Sequence, residues 1–410
     1  MNIFRKTLLA ACASATVAAA PNQSANAQVT NTQLLGQLNT ITTAVPFLMI
    51  SPDAKAGAMG DAGVATTPDA NNAHWNPAKT AFSEDDLGIS ISYTPWLRQL
   101  VPDISLGYVG FYKKIDDLQG FGGSLRYFSL GDISFTDFAG NSIGTFNPNE
   151  FSIDGHYARK VSDNFSVAIG LRFIYSNLTG GLDAQNQTKA GISGAGDLAF
   201  FYKRDIQLGL RDANLSAGLN FSNLGAKIAY SASGQDNFLP ANMRLGTQLR
   251  VDIDDYNQIA FTADVNKLLV PTNPVFARDS TGRIVVNPDG SYQISEGEDP
   301  FGKSVVGGVF GSFSDSPGGF REEMREINYS AGVEYWYDKQ FAIRGGYFYE
   351  WPTKGGRQFF TMGAGLKYNV FNINFSYLIP FSTQTGPVQQ RSPLQNTLRF
   401  SLAFNLGAFR

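Results

Sequence analysis

From residue 87 to the end of the chain, apolar side chains keep returning at every second position. The cleanest run is 165–175. Phe165, Val167, Ile169, Leu171, Phe173 and Tyr175 share one face, and the other face, Ile174 apart, is small or polar. A period of two marks a strand with one apolar side. The same pattern recurs at 87–93, 104–113, 120–129, 151–160, 194–203, 215–221, 243–251 and 259–265, then at 329–337, 341–349, 359–368, 371–379 and 398–408. With 165–175 that makes fourteen segments, each close to the roughly 9–11 residues a tilted strand needs to cross a bilayer. The last of them, "LQNTLRFSLAFNLGAFR", ends with an aromatic near the terminus, Phe409, as closing strands of outer-membrane barrels do.

The connections fall into two classes that alternate. "KIDDLQ", "SDN", "RDIQLGLRDA", "DIDDYN", "DKQ" and "NVFN" are short. Those at 131–150, 176–193, 223–240, 267–327 and 381–395 are longer, and 94–103 and 351–357 are modest but contain proline. Short periplasmic turns, longer external loops and an even strand count describe a bacterial β-barrel. The expected fold is therefore an all-β, transmembrane antiparallel barrel of about 14 strands. The stretch 305–313 ("VVGGVFGSF") is a possible fifteenth strand, but counting it breaks the alternation and reverses the last strand. That leaves 267–327 as one very long external loop. Within it "GGFREEMREI" has helical spacing and "NPDGSY" reads as a tight hairpin turn, since a structureless loop of this length inside a domain is unusual.

Composition agrees. Aromatic residues make up 13% of the chain, charged residues only 16%, and 43 of 410 residues are glycine. The formal charge is -3, which gives no electrostatic case for a nucleic-acid partner. The start, "MNIFRKTLLAACASATVAAAPNQSANAQVT", has a cationic Arg5-Lys6, an apolar run and an Ala25-Asn26-Ala27 cleavage site. It reads as a secretory signal peptide over 1–27. Cys12 is the only cysteine, so the mature chain has none for disulfides or for thiolate, haem or cysteine-metal chemistry. The expectation is no cofactor, no metal site and no catalytic residue. The histidines are His74 and His156, and no G-x-S-x-G elbow accompanies them.

Residues 51–82, "SPDAKAGAMGDAGVATTPDANNAHWNPAKTAF", fit none of the strand patterning. Unpaired backbone of this kind cannot face lipid. It can fill a barrel lumen, where small residues allow close approach and Asn71, Asn72 and Asn76 supply local bonds. The stretch "AKAGAMGDAGVAT" followed by "NNAHWNPAKTAF" resembles the N-terminal hatch of the FadL-type family of outer-membrane transporters for hydrophobic compounds. That family's Gly-rich hatch leads to a "WNPA" signature, matched by Trp75-Asn76-Pro77-Ala78. The resemblance implies a plug in which Gly57, Gly60, Gly63, Trp75, Asn76 and Pro77 take part. It also implies the division into 1–27 signal peptide, 28–86 periplasmic segment and lumen hatch, and 87–410 barrel.

A narrower resemblance comes from "LMISPDAKAGAMGDAGVAT" and from "SFSDSPGGFREEMREINYSAGVEYWYDKQFAIRGGYFYE" (312–350). These stretches are similar to the FadL-like barrels of the Bacteroidota type IX secretion system. That resemblance implies an integral outer-membrane protein that takes the C-terminal domains of secreted cargo from the type IX translocon barrel. It passes them to a sortase-like attachment complex among the outer-membrane lipids and lipopolysaccharide. The long loop is the expected docking surface, with Phe310, Phe313, Phe320 and Arg321 as candidates. Two other readings stand beside it. One is uptake of a hydrophobic small molecule, as in the wider FadL family. The other is lipid A deacylation, for which the residues offer no recognisable nucleophile.

Overall fold

The computed structural model describes residues 39–98, 101–136, 140–178, 188–231, 236–288, 290–381 and 394–407. The expected signal peptide (1–27) and Phe409 lie outside the described residues. Fourteen antiparallel strands close into a barrel. They are β1 (Leu87–Pro95), β2 (Ser105–Lys114), β3 (Gln119–Ser129), β4 (Asn149–Ser162), β5 (Phe165–Asn177), β6 (Gly191–Leu208) and β7 (Arg211–Gly225), then β8 (Asn242–Asp252), β9 (Asn257–Leu268), β10 (Ile327–Tyr337), β11 (Phe341–Tyr349), β12 (Gln358–Tyr368), β13 (Phe371–Pro380) and β14 (Thr397–Leu406). Each pairs with its sequence neighbour, and β1 closes on β14 from Leu87↔Leu406 to Tyr93↔Phe400. Closure leaves no strand edge to be satisfied in lipid.

The alternation sorts side chains as the sequence pattern requires. Ile91, Phe111, Leu125, Ile169, Leu171, Phe173, Phe261, Ile343 and Phe360 point outward and are exposed. In a bilayer their partner is hydrocarbon. Arg126, Arg172, Arg244, Arg344 and Arg399 point inward and are buried, together with a band of serines and asparagines. No helix among the described residues is long and apolar enough to cross a membrane, so crossing falls to the strands.

One expectation needs correction. "RDIQLGLRDA", expected as a short connection, is mostly strand: β6 runs on to Leu208 and β7 starts at Arg211, with Gly209 at positive φ between them. The apolar alternation stops near Lys203 because the hairpin leaves the hydrocarbon there. The backbone ladder does not need an apolar face to continue into water. The stretch 305–313 is not a fifteenth strand, as the alternation of connections required, and over Val305–Gly311 it is helical. Ser304 caps it, its Oγ accepting from Gly307 N at 3.1 Å.

The long loop 267–327 is folded. It carries the helix just described and a second short one at Phe320–Glu323, continued by a 3-10 turn at Met324–Glu326. A small hairpin pairs Val275–Phe276 with Ile294–Glu296. At its tip Asn287 N donates to Ser291 O at 2.8 Å, the turn expected for "NPDGSY".

Candidate functional site

Inside the barrel, residues 51–82 are almost wholly buried. The segment folds into two single-turn helices, α1 (Ala54–Gly57) and α2 (Asn72–Trp75), and a 3-10 turn at Pro77–Phe82. Asp53 starts α1: its Oδ1 accepts from Ala56 N at 2.9 Å and its Oδ2 from Trp75 Nε1 at 2.6 Å. Burial raises the Asp53 carboxyl above its ordinary value, Asp69 adds to the rise, and the Trp75 bond opposes it. One carboxylate therefore joins the start of the segment to its end.

The "WNPA" residues divide this work among themselves. Trp75 lies across Gly63, where any Cβ would collide with the indole. Asn76 Oδ1 accepts from Ala78 N at 3.0 Å, while its Nδ2 donates to Phe200 O at 3.0 Å and Val64 O at 3.2 Å. Pro77 opens the 3-10 turn, where its missing N–H costs nothing. Ala78 packs with Ala158, Ala168 and Ala199 of the wall, and any larger side chain would push the turn off it.

The wall satisfies the segment's backbone through inward side chains. Asp264 Oδ2 accepts from Gly63 N at 2.7 Å and Val64 N at 3.0 Å. Ser401 Oγ accepts from Ala54 N at 2.9 Å and Thr361 Oγ1 from Gly60 N at 2.8 Å. Asn220 donates to Trp75 O and Arg244 to His74 O, both at 3.0 Å. Arg126 donates to Leu48 O at 2.6 Å and lies 2.6 Å from His74 Nδ1. Burial, then Arg126 and Arg244, keep His74 neutral, well below the usual histidine range. His156 meets Thr80 Oγ1 through Nε2 at 2.9 Å. Both histidines thus join hatch to wall. Gly57 and Gly60 are close-approach points: a Cβ on Gly57 would lie 2.7 Å from Arg399 Nη1, and one on Gly60, at φ 69°, would strike the Tyr347 carbonyl.

The chain ahead of this segment lies at the rim of the long connections. Asn39 N donates to Thr353 O at 3.0 Å, and Asn39 Nδ2 donates to Asn273 O at 2.8 Å. Ala44 N donates to Phe238 O at 3.0 Å. Phe47 and Leu48 pack with Leu106, Phe128, Ile174 and Leu239. Residues 39–50 belong to the segment expected as periplasmic segment and lumen hatch (28–86), and they sit at the rim of the long connections, where their apolar residues find a pocket.

The long loop is fixed to that rim by a buried ion cluster. Lys267 Nζ, at the end of β9, lies 2.6 Å from Glu326 Oε2 and 3.0 Å from Glu323 Oε2. Lys354 Nζ lies 3.0 Å from Glu326 Oε1 and 2.5 Å from Glu322 Oε1. Thr272 and Ser316 hydroxyls also donate to Glu326. Burial resists the Glu326 charge, but Lys267 and then Lys354 outweigh it and hold the carboxyl below the ordinary glutamate value. Above the clamp the loop displays apolar groups to solvent. Phe310 is 74% exposed and Phe320 79%, with Val306 and Met324 also exposed. Phe313 is half exposed with its ring 6.0 Å from Lys267. Arg321 is exposed and lines a cleft of about 230 Å3 with Asn39, Glu296 and Arg325.

Sequence reasoning named the hatch glycines and "WNPA" but missed Asp53, Asp264, Arg126 and the Lys267–Glu326–Lys354 clamp. The inward arginines and Asp264 were findable: each is a charge on the face opposite the apolar one of its strand. The clamp joins positions far apart in the chain and left no local signal.

The family model described as "Type IX secretion system protein PorV" matches residues 33–275, more than half of the chain. The chain belongs to the PorV family. No curated protein matches it. Among solved structures it is similar to the toluene transporter TodX of Pseudomonas putida, at 13% identity over 90% of this chain and 98% of that one, TM-score 0.44. It is also similar to the toluene transporter TbuX of Ralstonia pickettii, at 10% identity over 86% and 97%, TM-score 0.44. A Pseudomonas aeruginosa FadL homologue follows at 12% identity over 90% and 99%, TM-score 0.40. At these values the likenesses carry no inference about a ligand. The barrel and the PorV family together place the chain in the outer membrane, as a type IX secretion component. The PorV match ends before most of the long loop, so the exposed phenylalanines belong to the part the family model does not describe.

Proposed function

We propose that this PorV-family barrel is a docking shuttle rather than a pore. It receives the C-terminal signal domains of cargo from the type IX translocon barrel and delivers them to a sortase-like attachment complex at the cell surface. On this reading 1–27 is removed on export, the hatch closes the lumen, and the rim of long connections faces outward. The observation that carries it is the long loop: a folded, clamped platform that presents Phe310 and Phe320 almost fully to solvent. Exposed aromatics on a rigid support are the usual anchors of a protein interface. The hydrophobic-uptake reading calls for an apolar path through the lumen. The groups that bond the hatch backbone to the wall are instead arginines, carboxylates, serines and asparagines.

Photocrosslinkers placed at Phe310 and Phe320 in living cells test the shuttle. Adducts with cargo signal domains or secretion partners are expected, and Phe310→Ser/Phe320→Ser should leave cargo carrying its C-terminal domain in the periplasm. Normal secretion by that variant, with no adduct at either position, would reject the docking role.

A further inference from the structure

The rim of the short turns holds a cavity that the shuttle reading does not use. It has a volume of about 300 Å3 and lies between the hatch loop around Pro68–Asn71 and the inner wall at the barrel's closing seam. Strand register explains why the wall is hollow there. Ser90 of β1 stands opposite Ala403 of β14, which stands opposite Asn372 of β13. One row deeper, Ser92, Ser401 and Asn374 line up in the same way. Three neighbouring strands thus turn short side chains inward at one level. Tyr112 lies flat over Gly88, the position that would otherwise fill the corner.

The lining is polar and its charges balance. Lys55 is paired with Asp69 at 3.0 Å, and Glu334 with Arg344 at 2.6 Å. Beyond these pairs, Glu84, Asp85 and Asp252 are set against Arg250, Lys339 and Lys367. No strong field of either sign favours an ion. Two residues that line the cavity, Ser90 and Asn71, each keep a buried side-chain oxygen without a hydrogen-bond partner just behind its wall. Both are well over nine-tenths buried, so they call for a polar ligand. Trp336, half-buried, adds a ring face, and Arg344 covers the indole's other side at 5.4 Å.

Amide and hydroxyl groups beside an aromatic ring suit a molecule with hydroxyls on its edge and C–H groups on its face. We propose that this cavity is a binding site for a small neutral saccharide unit. Two sources share that chemistry: an N-acetylated amino-sugar glycan and the neutral hexoses of a lipid-borne glycan.

The test is calorimetric titration of the full-length protein in lipid nanodiscs, which avoids sugar-headed detergents. The probes are N,N′-diacetylchitobiose and maltose. Saturable binding of one or both is expected, and the preferred probe identifies the source. Ala403→Leu fills the cavity without removing a polar group and should weaken binding at least tenfold, whereas Trp351→Phe at the other rim should not change it. Asn405→Leu serves if Ala403→Leu does not give a heat-modifiable barrel band. Absence of binding by both sugars, or binding that neither variant alters, overturns the proposal.

Discussion

At the residue scale, the hatch depends on positions where a single methyl group decides the fit. Gly60 sits at φ 69° with the Tyr347 backbone where its Cβ would be. Gly57 has an ordinary backbone and meets only the Arg399 side chain, not a backbone carbonyl. Gly60→Ala should therefore cost about 1–3 kcal/mol, from overpacking and left-handed strain together, and Gly57→Ala clearly less. The temperature at which the folded barrel band is lost on semi-native gels measures both. Equal losses would mean that hatch contact with the wall at Gly60 is not what holds it. These glycines were legible in the sequence only as a bias towards small residues. Which one needs φ > 0 depends on Tyr347, far along the chain, and no local pattern carries that.

At the element scale, strands were legible throughout and loops only in part, for a physical reason. Lipid on one side and a polar lumen on the other impose period two on each strand, and all fourteen segments show it. Helix Val305–Gly311 obeys no such constraint, and its Val-Val-Gly-Gly composition hides the Ser304 cap that starts it. The long loop's fold rests on the buried clamp, and that gives a pH prediction. Glu326 is held below the ordinary glutamate value by Lys267 and Lys354. Its contribution to stability is therefore present in full above that ordinary value, roughly 4.3, and is lost as pH falls through the lower folded value. Trypsin-like cleavage cannot be followed in acid, so pepsin nicking of 267–327 is the readout. Nicking should accelerate steeply on acidification. In Glu326→Gln, which leaves Lys267 and Lys354 without their shared partner, the loop should lose about 3 kcal/mol of local stability and be nicked already at neutral pH by trypsin. Unchanged resistance in that variant would show that the loop is held by its apolar contacts instead.

At the scale of the whole molecule, the question is whether the hatch moves. A shuttle needs only the outer platform, whereas a transporter must open its lumen in every cycle. Cys12 is the chain's one cysteine and lies within the proposed signal peptide, so on that reading an engineered pair can lock hatch to wall without competing thiols. Ala58 and Gly363 face each other directly: a Cβ on Gly363 would sit 2.5 Å from that of Ala58 and 2.4 Å from the Phe375 carbonyl oxygen. A disulfide prefers a Cβ separation of roughly 3.5–4.5 Å, so hatch and wall strand must both shift, and the pair is read only where semi-native gels show the folded barrel band. The oxidised Ala58→Cys/Gly363→Cys protein should secrete cargo at the wild-type rate and show no ion conductance in planar bilayers. Its reduced form should behave the same. Secretion that fails on oxidation and returns on reduction would show that the hatch must travel, and would shift the mechanism from the rim to the lumen. The buried polar contacts favour the first outcome. Opening would strip Asp264, Arg126 and Arg244 of hatch partners at once, and each buried charge left without a partner costs several kcal/mol. Nothing in a docking cycle at the long-loop rim supplies that energy.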